Sequence, residues 1–443
     1  MAQRFNGESF TRYGWFLCSW ILLIPFQYGY HISVLNQIQA VLTCKEVGPD
    51  TRPHYGLPTC IPMSDFSFSV VTAIFTVGGL VGSMSANIFM DREGWGRKGA
   101  ARFSALLVAV GSGIMSISAS VSFLLIGRFL VGIGSGIGIC LGPIYLAEIA
   151  PSGISGSVGV LTQLGIVLGI MITQCVGLRF ATPTEWRSVL FLSFAASVAQ
   201  LFLASLMVDS PSWLGSKASV EDPLLDNAEA ARGGAGKALT VPEVLAAGDL
   251  RRPLAIVCFA MLSQQLSGIN AVLYYSNEIL SKSLPDLGPY VSLGITVVNV
   301  LMTFPPIILI ERVGRRRLLA LSTIGGITSL ILVGFGLNSG LVTLASIAIL
   351  TFVTSFAIGL GPVPFVLVPE VSPYHAVSAL SSIALSLNWI VNFLVGLVFL
   401  PLRNLLSQGD PSKEGRVFYL FAIALFCSMG IGFRTADGAG RRM

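Results

Sequence analysis

Twelve stretches of this chain are long and apolar enough to cross a lipid bilayer, and this limits the fold more than any motif does. A hydrocarbon core about 30 Å thick takes about 20 apolar residues in helical form. Inside it every backbone N–H and C=O must be satisfied by the segment itself, which leaves helices or closed barrels. The stretches read as helices at 14–36, 66–90, 101–121, 124–146, 157–178, 188–208, 253–279, 288–310, 317–336, 341–368, 376–402 and 417–433. Only 11% of the 443 residues are charged, against about 25% in a soluble domain. The expected fold class is an all-α membrane protein with twelve transmembrane helices in two six-helix bundles. Residues 1–13 are polar and the first apolar run is of spanning length, so no cleavable signal peptide is expected.

Positive charge sets the orientation of such a chain. Most of its 27 Lys and Arg fall at the N-terminus, after spans 2 and 8, in the central loop and in the tail. An even number of spans with both termini in the cytosol follows, in either a plasma or a vacuolar membrane. The net charge of +5 thus reports topology. The lipid bilayer is the expected macroscopic partner, and nucleic acid is not. Five of the seven cysteines lie in or beside spans, as small apolar packing residues. Cys44 and Cys60 share the first outer loop, where an oxidising compartment permits a disulfide; whether they pair stays open.

Residues 210–252 interrupt the pattern with a polar run rich in Ala, Gly, Asp, Glu and Lys, long for a loop. They read as a cytosolic linker, with room for short amphipathic helices, between bundles at 1–209 and 253–443. An internal repeat supports that division. Asp91-Arg92-Glu93-Gly94 follows span 2, and Glu311-Arg312-Val313-Gly314 follows span 8, 220 residues later. Glu148-Ile149-Ala150-Pro151 ends span 4, and Glu370-Val371-Ser372-Pro373 ends span 10, 222 residues later. Duplicated halves with a midplane site mark secondary transporters. Glycine pairs at four-residue spacing, such as Gly78/Gly82, Gly132/Gly136 and Gly138/Gly142, read as close helix packing.

Span 7 carries the densest polar chemistry: Gln264-Gln265-Leu266-Ser267-Gly268-Ile269-Asn270-Ala271-Val272-Leu273-Tyr274-Tyr275-Ser276. Polar groups are expensive in hydrocarbon, so they should face an internal cavity. Carboxamides donate and accept hydrogen bonds without charge, which suits a neutral, hydroxyl-rich ligand such as a hexose. Gln264, Asn299 and Asn388 each lie 11 or 12 residues into their spans, about 16–18 Å deep and near the midplane. The competing reading is that such amides only tie helices together. Gly268 separates Gln264 from Asn270, which would not share one stripe of a straight helix. A local unwinding there is therefore expected. Gly359, Gly361, Pro362 and Pro364 weaken span 10 in the same way, since proline removes backbone donors. The three histidines, His31, His54 and His375, form no metal or nucleophile constellation, so neither an enzyme nor a cofactor is expected.

These motifs resemble the sugar porter branch of the major facilitator superfamily over nearly the whole chain. The likeness rests on Gln264–Ser276, on Gly127-Arg128-Phe129 through Tyr145 to Pro151, and on Gln163-Leu164-Gly165-Ile166. It also rests on Gly361-Pro362-Val363-Pro364 and on Asn388-Trp389 with Asn392. Within the branch the chain is more similar to facilitative glucose and fructose carriers, and to fungal vacuolar relatives, than to typical proton symporters.

The resemblance implies a hexose between the two halves, touched by Gln163, Gln264, Gln265, Asn270, Asn299 and Asn388. Phe365 stands where many relatives place a Trp beside the sugar. Tyr274 and Tyr275 would close over the sugar from outside, with Gly361, Pro362 and Pro364 as a hinge. The acids Glu148 and Glu370 would pair with Arg92, Arg97, Arg312, Arg315 or Arg316 as an inner latch.

Several parts of the family pattern are missing. Ser155 and Val377 replace arginines, Ala357 replaces a glutamate, and Gly94-Trp95-Gly96 is inserted before Arg97. These losses imply a carrier biased towards its inward-open form. His31 stands where proton-driven relatives place an Asp, with Arg128 nearby. A neutral, hydrogen-bonded His31 implies facilitated diffusion. Proton symport and a non-transporting sugar sensor are the alternatives.

Overall fold

The structure is a computed structural model that describes residues 11–45, 56–92, 95–210, 238–270, 272–273 and 290–437. Among these residues there is no β-strand. The first helices are α1 (Arg12–Leu42), α2 (Asp65–Met90), α3 (Gly96–Ser116), α4 (Val121–Ile149), α5 (Ser155–Phe180) and α6 (Trp186–Leu203). A short α7 (Val241–Ala246) follows the linker, then α8 (Arg251–Leu266), α9 (Val291–Val313) and α10 (Arg315–Asn338). The last are α11 (Val342–Ser355), α12 (Val363–Val371), α13 (Val377–Ser407) and α14 (Arg416–Asp437).

Two compact units are distinguished. Unit 1 holds residues 1–155, 165–244 and 373–386, and unit 2 holds 156–164, 245–372 and 387–443.

Ten helices among the described residues are long and apolar enough to cross a membrane. The two remaining spans read from the sequence have clear reasons for falling short. Helix α1 is 31 residues long but carries Gln27, His31, Asn36, Gln37 and Gln39. Helix α8 stops at Leu266 after 16 residues because the chain turns at Gly268. Large apolar side chains such as Phe66, Phe202 and Phe426 are exposed, as a chain solvated by lipid requires.

In unit 1, α2 and α4 pack backbone against backbone. A Cβ on Gly132 would lie 2.4 Å from the Phe75 carbonyl, and one on Gly136 would lie 2.2 Å from that of Gly79. The small-residue reading therefore holds there, while Gly142 of the third pair faces open space. Hydroxyls tie further helices without exposing polar atoms to lipid: Ser104 Oγ donates to the Gly134 carbonyl at 2.7 Å. The indole of Trp20 bonds the Gln200 carbonyl at 2.9 Å. Unit 2 is centred on Leu330, Val333, Phe352, Val353 and Phe418, all fully buried.

Cys44 and Cys60 are joined by a disulfide, with Cα atoms 5.2 Å apart. Its loop is pinned to the start of α6, where Trp186 Nε1 donates to Thr59 O at 2.7 Å and Arg187 Nη2 to Pro58 O at 2.9 Å. In the linker, α7 is capped by Glu243, whose carboxylate accepts from the backbone N–H and hydroxyl of Thr240.

Candidate functional site

Helix α8 ends where the sequence placed its interruption. Gly268 has φ of +74°, a left-handed conformation that side chains disfavour, and a Cβ there would meet the Phe421 ring at 2.8 Å. Residues 269 and 270 resume helical geometry. The break re-aims Asn270 relative to Gln264 and Gln265, and all three enter one network.

That network is a chain of carboxamides within unit 2. Gln264 Nε2 donates to the carbonyls of Gly361 at 2.9 Å and Leu360 at 3.2 Å. Its Oε1 accepts from Asn388 Nδ2 at 2.9 Å. Asn388 Oδ1 accepts from Gln265 Nε2, and Gln265 Oε1 from Asn270 Nδ2, both at 3.2 Å. Asn270 Nδ2 also reaches Asn392 Oδ1 at 3.2 Å. Each amide is satisfied by another amide or a carbonyl, and none carries charge. A polyol can replace such partners bond for bond, because hydroxyls also both donate and accept.

Asn299, on α9, is buried, and its Oδ1 has no hydrogen-bond partner among the described residues. It lies outside the chain of amide bonds. Gln163 is buried, with its carboxamide 3.2 Å from where a Cβ on Gly361 would stand. Glycine at 361 therefore leaves room for that side chain. Phe365 is buried on α12. Tyr274 and Tyr275 lie outside the described residues.

The weakened stretch of span 10 is a π-helical turn, Phe356–Leu360, between α11 and α12. Gly361 N donates to Phe356 O at 2.8 Å, and Pro362 and Pro364 bracket the restart of the helix. Ser322 on α10 holds this turn open. Its hydroxyl accepts from Leu360 N at 2.8 Å and donates to Ser355 O. π-turns of this kind are frequent at functional positions.

The acidic helix ends form two similar clusters. In unit 1, Arg97 places Nη2 3.1 Å and Nε 3.3 Å from Glu148 Oε1, and Nη1 2.8 Å from Asp91 Oδ1. In unit 2, Arg315 contacts Glu370 Oε1 at 2.6 Å and Glu311 Oε2 at 2.7 Å. Asp91 and Glu311, 220 residues apart, each bind a further segment. Ser378 Oγ donates to Asp91 at 2.8 Å, and Gly156 N donates to Glu311 at 2.7 Å. The remaining arginines of the expected latch are placed differently. Arg92 lies over the Trp95 ring at 4.9 Å, Arg316 over the Phe433 ring at 5.7 Å, and Arg312 is exposed.

His31 and Arg128 also meet, though not ring to guanidinium. Arg128 Nη1 donates to the His31 carbonyl at 2.9 Å, and its guanidinium lies over Phe75 at 4.4 Å. The fully buried imidazole bonds Ser193 Oγ through Nε2 at 2.6 Å, while Nδ1 has no hydrogen-bond partner among the described residues. Ser193 bonds Gln27 in turn at 2.8 Å.

Sequence reasoning missed Asn392, Asp91, Glu311, Ser193 and Gln27 as members of these sites. Asn392 had a signal, lying one turn beyond Asn388. Asp91 and Glu311 had one in the repeat itself.

A model of the Sugar (and other) transporter family matches residues 17–436. Among curated relatives, a probable metabolite transport protein of Saccharomyces cerevisiae is 32% identical over 89% of this chain and 86% of its own length. The facilitated glucose transporter member 3 of solute carrier family 2 from Ovis aries is 33% identical over 84% of this chain and 81% of its own. In fold, the chain is similar to the proton:xylose symporter XylE bound to 6-bromo-6-deoxy-D-glucose. That match has a TM-score of 0.76 at 20% identity and covers 95% of both chains.

Proposed function

Because this chain is a member of the sugar transporter family, spanning a membrane many times, we propose that it carries a hexose across that membrane by facilitated diffusion. The observation that carries this reading is the uncharged amide chain from Gln264 through Asn388, Gln265 and Asn270 to Asn392. Sugar hydroxyls exchange with these amide partners at little net cost, since bonds lost and gained are alike in kind. Asn299 Oδ1 offers an acceptor with no hydrogen-bond partner among the described residues, and Gln163 and Phe365 complete the set of contacts. The breaks at Gly268 and at the π-turn supply the movable backbone that binding and release need. Alternating access by the two six-span halves, with both termini in the cytosol, completes the scheme. The membrane is plasma or vacuolar.

A proton symporter is the second reading, and the observation that favours it is the buried His31, whose Nδ1 has no hydrogen-bond partner among the described residues. Uptake of labelled glucose and fructose by transporter-deficient cells separates the two. Facilitated diffusion predicts equilibration without accumulation, unchanged by a protonophore and by His31→Asn. Accumulation that collapses with the protonophore and in His31→Asn contradicts it.

A further inference from the structure

The corner of unit 1 where α3 begins and α6 ends holds a cavity of about 430 Å³. Its lining is amphipathic. Lys98, Arg102 and Asp209 supply its polar lining, and Phe103, Leu106 and Leu201 its apolar lining. Trp95 edges it, packed on Phe103 at 5.6 Å with Arg92 over its outer face. Trp95 belongs to the Gly94-Trp95-Gly96 insertion, so this edge is a feature of this chain rather than of the loop pattern it resembles.

The polar lining has donors to spare. Lys98 Nζ gives one proton to Met207 O, and Arg102 Nη2 gives one to Ala204 O at 3.2 Å. An ammonium has three donors and a guanidinium five. Asp209 is the one carboxylate lining the cavity among the described residues, and its Oδ1 already accepts from the Lys98 backbone N–H at 2.8 Å. Arg92, Lys98 and Arg102 thus leave the corner with a positive excess.

Its depth fits as well. The helices long and apolar enough to span run Gly96–Ser116 and Trp186–Leu206, so Lys98 stands in the first turn of one and Asp209 just past the end of the other. Leu106, exposed, lies nearer the hydrocarbon. Aromatic residues such as Trp95 favour the membrane–water boundary.

We propose that this corner binds an anionic phospholipid. Its phosphodiester rests on Lys98 and Arg102, and one acyl chain runs along Phe103, Leu106 and Leu201. The site is separate from the amide network, and its test reads lipid binding rather than sugar flux.

Native mass spectrometry of the purified full-length chain in detergent provides that test. The probes are palmitoyl-oleoyl phosphatidylglycerol and the matching phosphatidylcholine. Retention of phosphatidylglycerol should exceed that of phosphatidylcholine by about fivefold or more, and Arg102→Gln should erase about fivefold of it. Leu106→Gln should weaken both lipids. Excess inorganic phosphate should leave retention unchanged, which separates a lipid site from a free-phosphate site. Lys98→Gln, read in the same way, serves if Arg102→Gln does not fold. Equal retention of the two lipids overturns the proposal. So does full retention in folded Arg102→Gln or Lys98→Gln, or displacement by phosphate.

Discussion

Gln264 ties the amide network to the backbone of the π-turn. It holds two carbonyls at the π-turn and the amide of Asn388. Truncating it leaves buried polar atoms unpaired, at about 1–3 kcal/mol. Gln264→Ala should therefore weaken sugar binding by roughly tenfold to a hundredfold, measured by equilibrium binding of labelled hexose to purified protein. Unchanged affinity would place the sugar elsewhere. Gln264, Gln265, Asn270 and Asn388 were legible in the sequence because amides stand out in lipid-like surroundings. Their bonding to one another was not, since it depends on how α13 meets the broken α8. His31 shows the same limit. The family resemblance implied Arg128 beside it, but not that the guanidinium would take its carbonyl and leave the ring to Ser193.

At the scale of elements, the breaks are the informative features. The interruption of span 7 was readable because Gly268 sits between amides that a straight helix would separate. The π-turn was readable only as a weakness of span 10. Its clasp, Ser322, lies on another helix and carried no local signal. Gly268 is constrained twice, by its positive φ and by the Phe421 ring. Gly268→Ala should cost about 1–3 kcal/mol, seen as a lower thermal midpoint. A variant as stable as the parent would mean the turn relaxes without its left-handed residue.

The whole molecule is governed by repetition. The motif spacing of 220 relates Asp91 to Glu311, and each joins a cluster around an arginine, Arg97 or Arg315, that also holds the acid ending span 4 or span 10. Burial makes the two unequal. Arg97 and Glu148 are 1% and 8% exposed, while Arg315 and Glu370 are about a quarter exposed. Glu148→Gln should therefore cost about 3–5 kcal/mol and Glu370→Gln about 1 kcal/mol or less, compared by thermal unfolding in one detergent. Equal losses would contradict this ranking. The disulfide closes a loop of sequence separation 16, so Cys60→Ser should lower stability by about 3 kcal/mol. A thermal midpoint that does not respond to reductant would show that the bond contributes little. The spans were legible from apolar length. The contacts of Asp91 with Ser378 and of Glu311 with Gly156 were not, because they join segments far apart in the chain.

The central claim is that an uncharged amide network binds a hexose in a protein that then moves it. Counterflow of labelled glucose in proteoliposomes, with no ion gradient imposed, tests this most directly. Exchange by the parent chain and its loss in Gln264→Ala is the predicted result. Glucose that binds to the parent chain without any exchange would contradict the account.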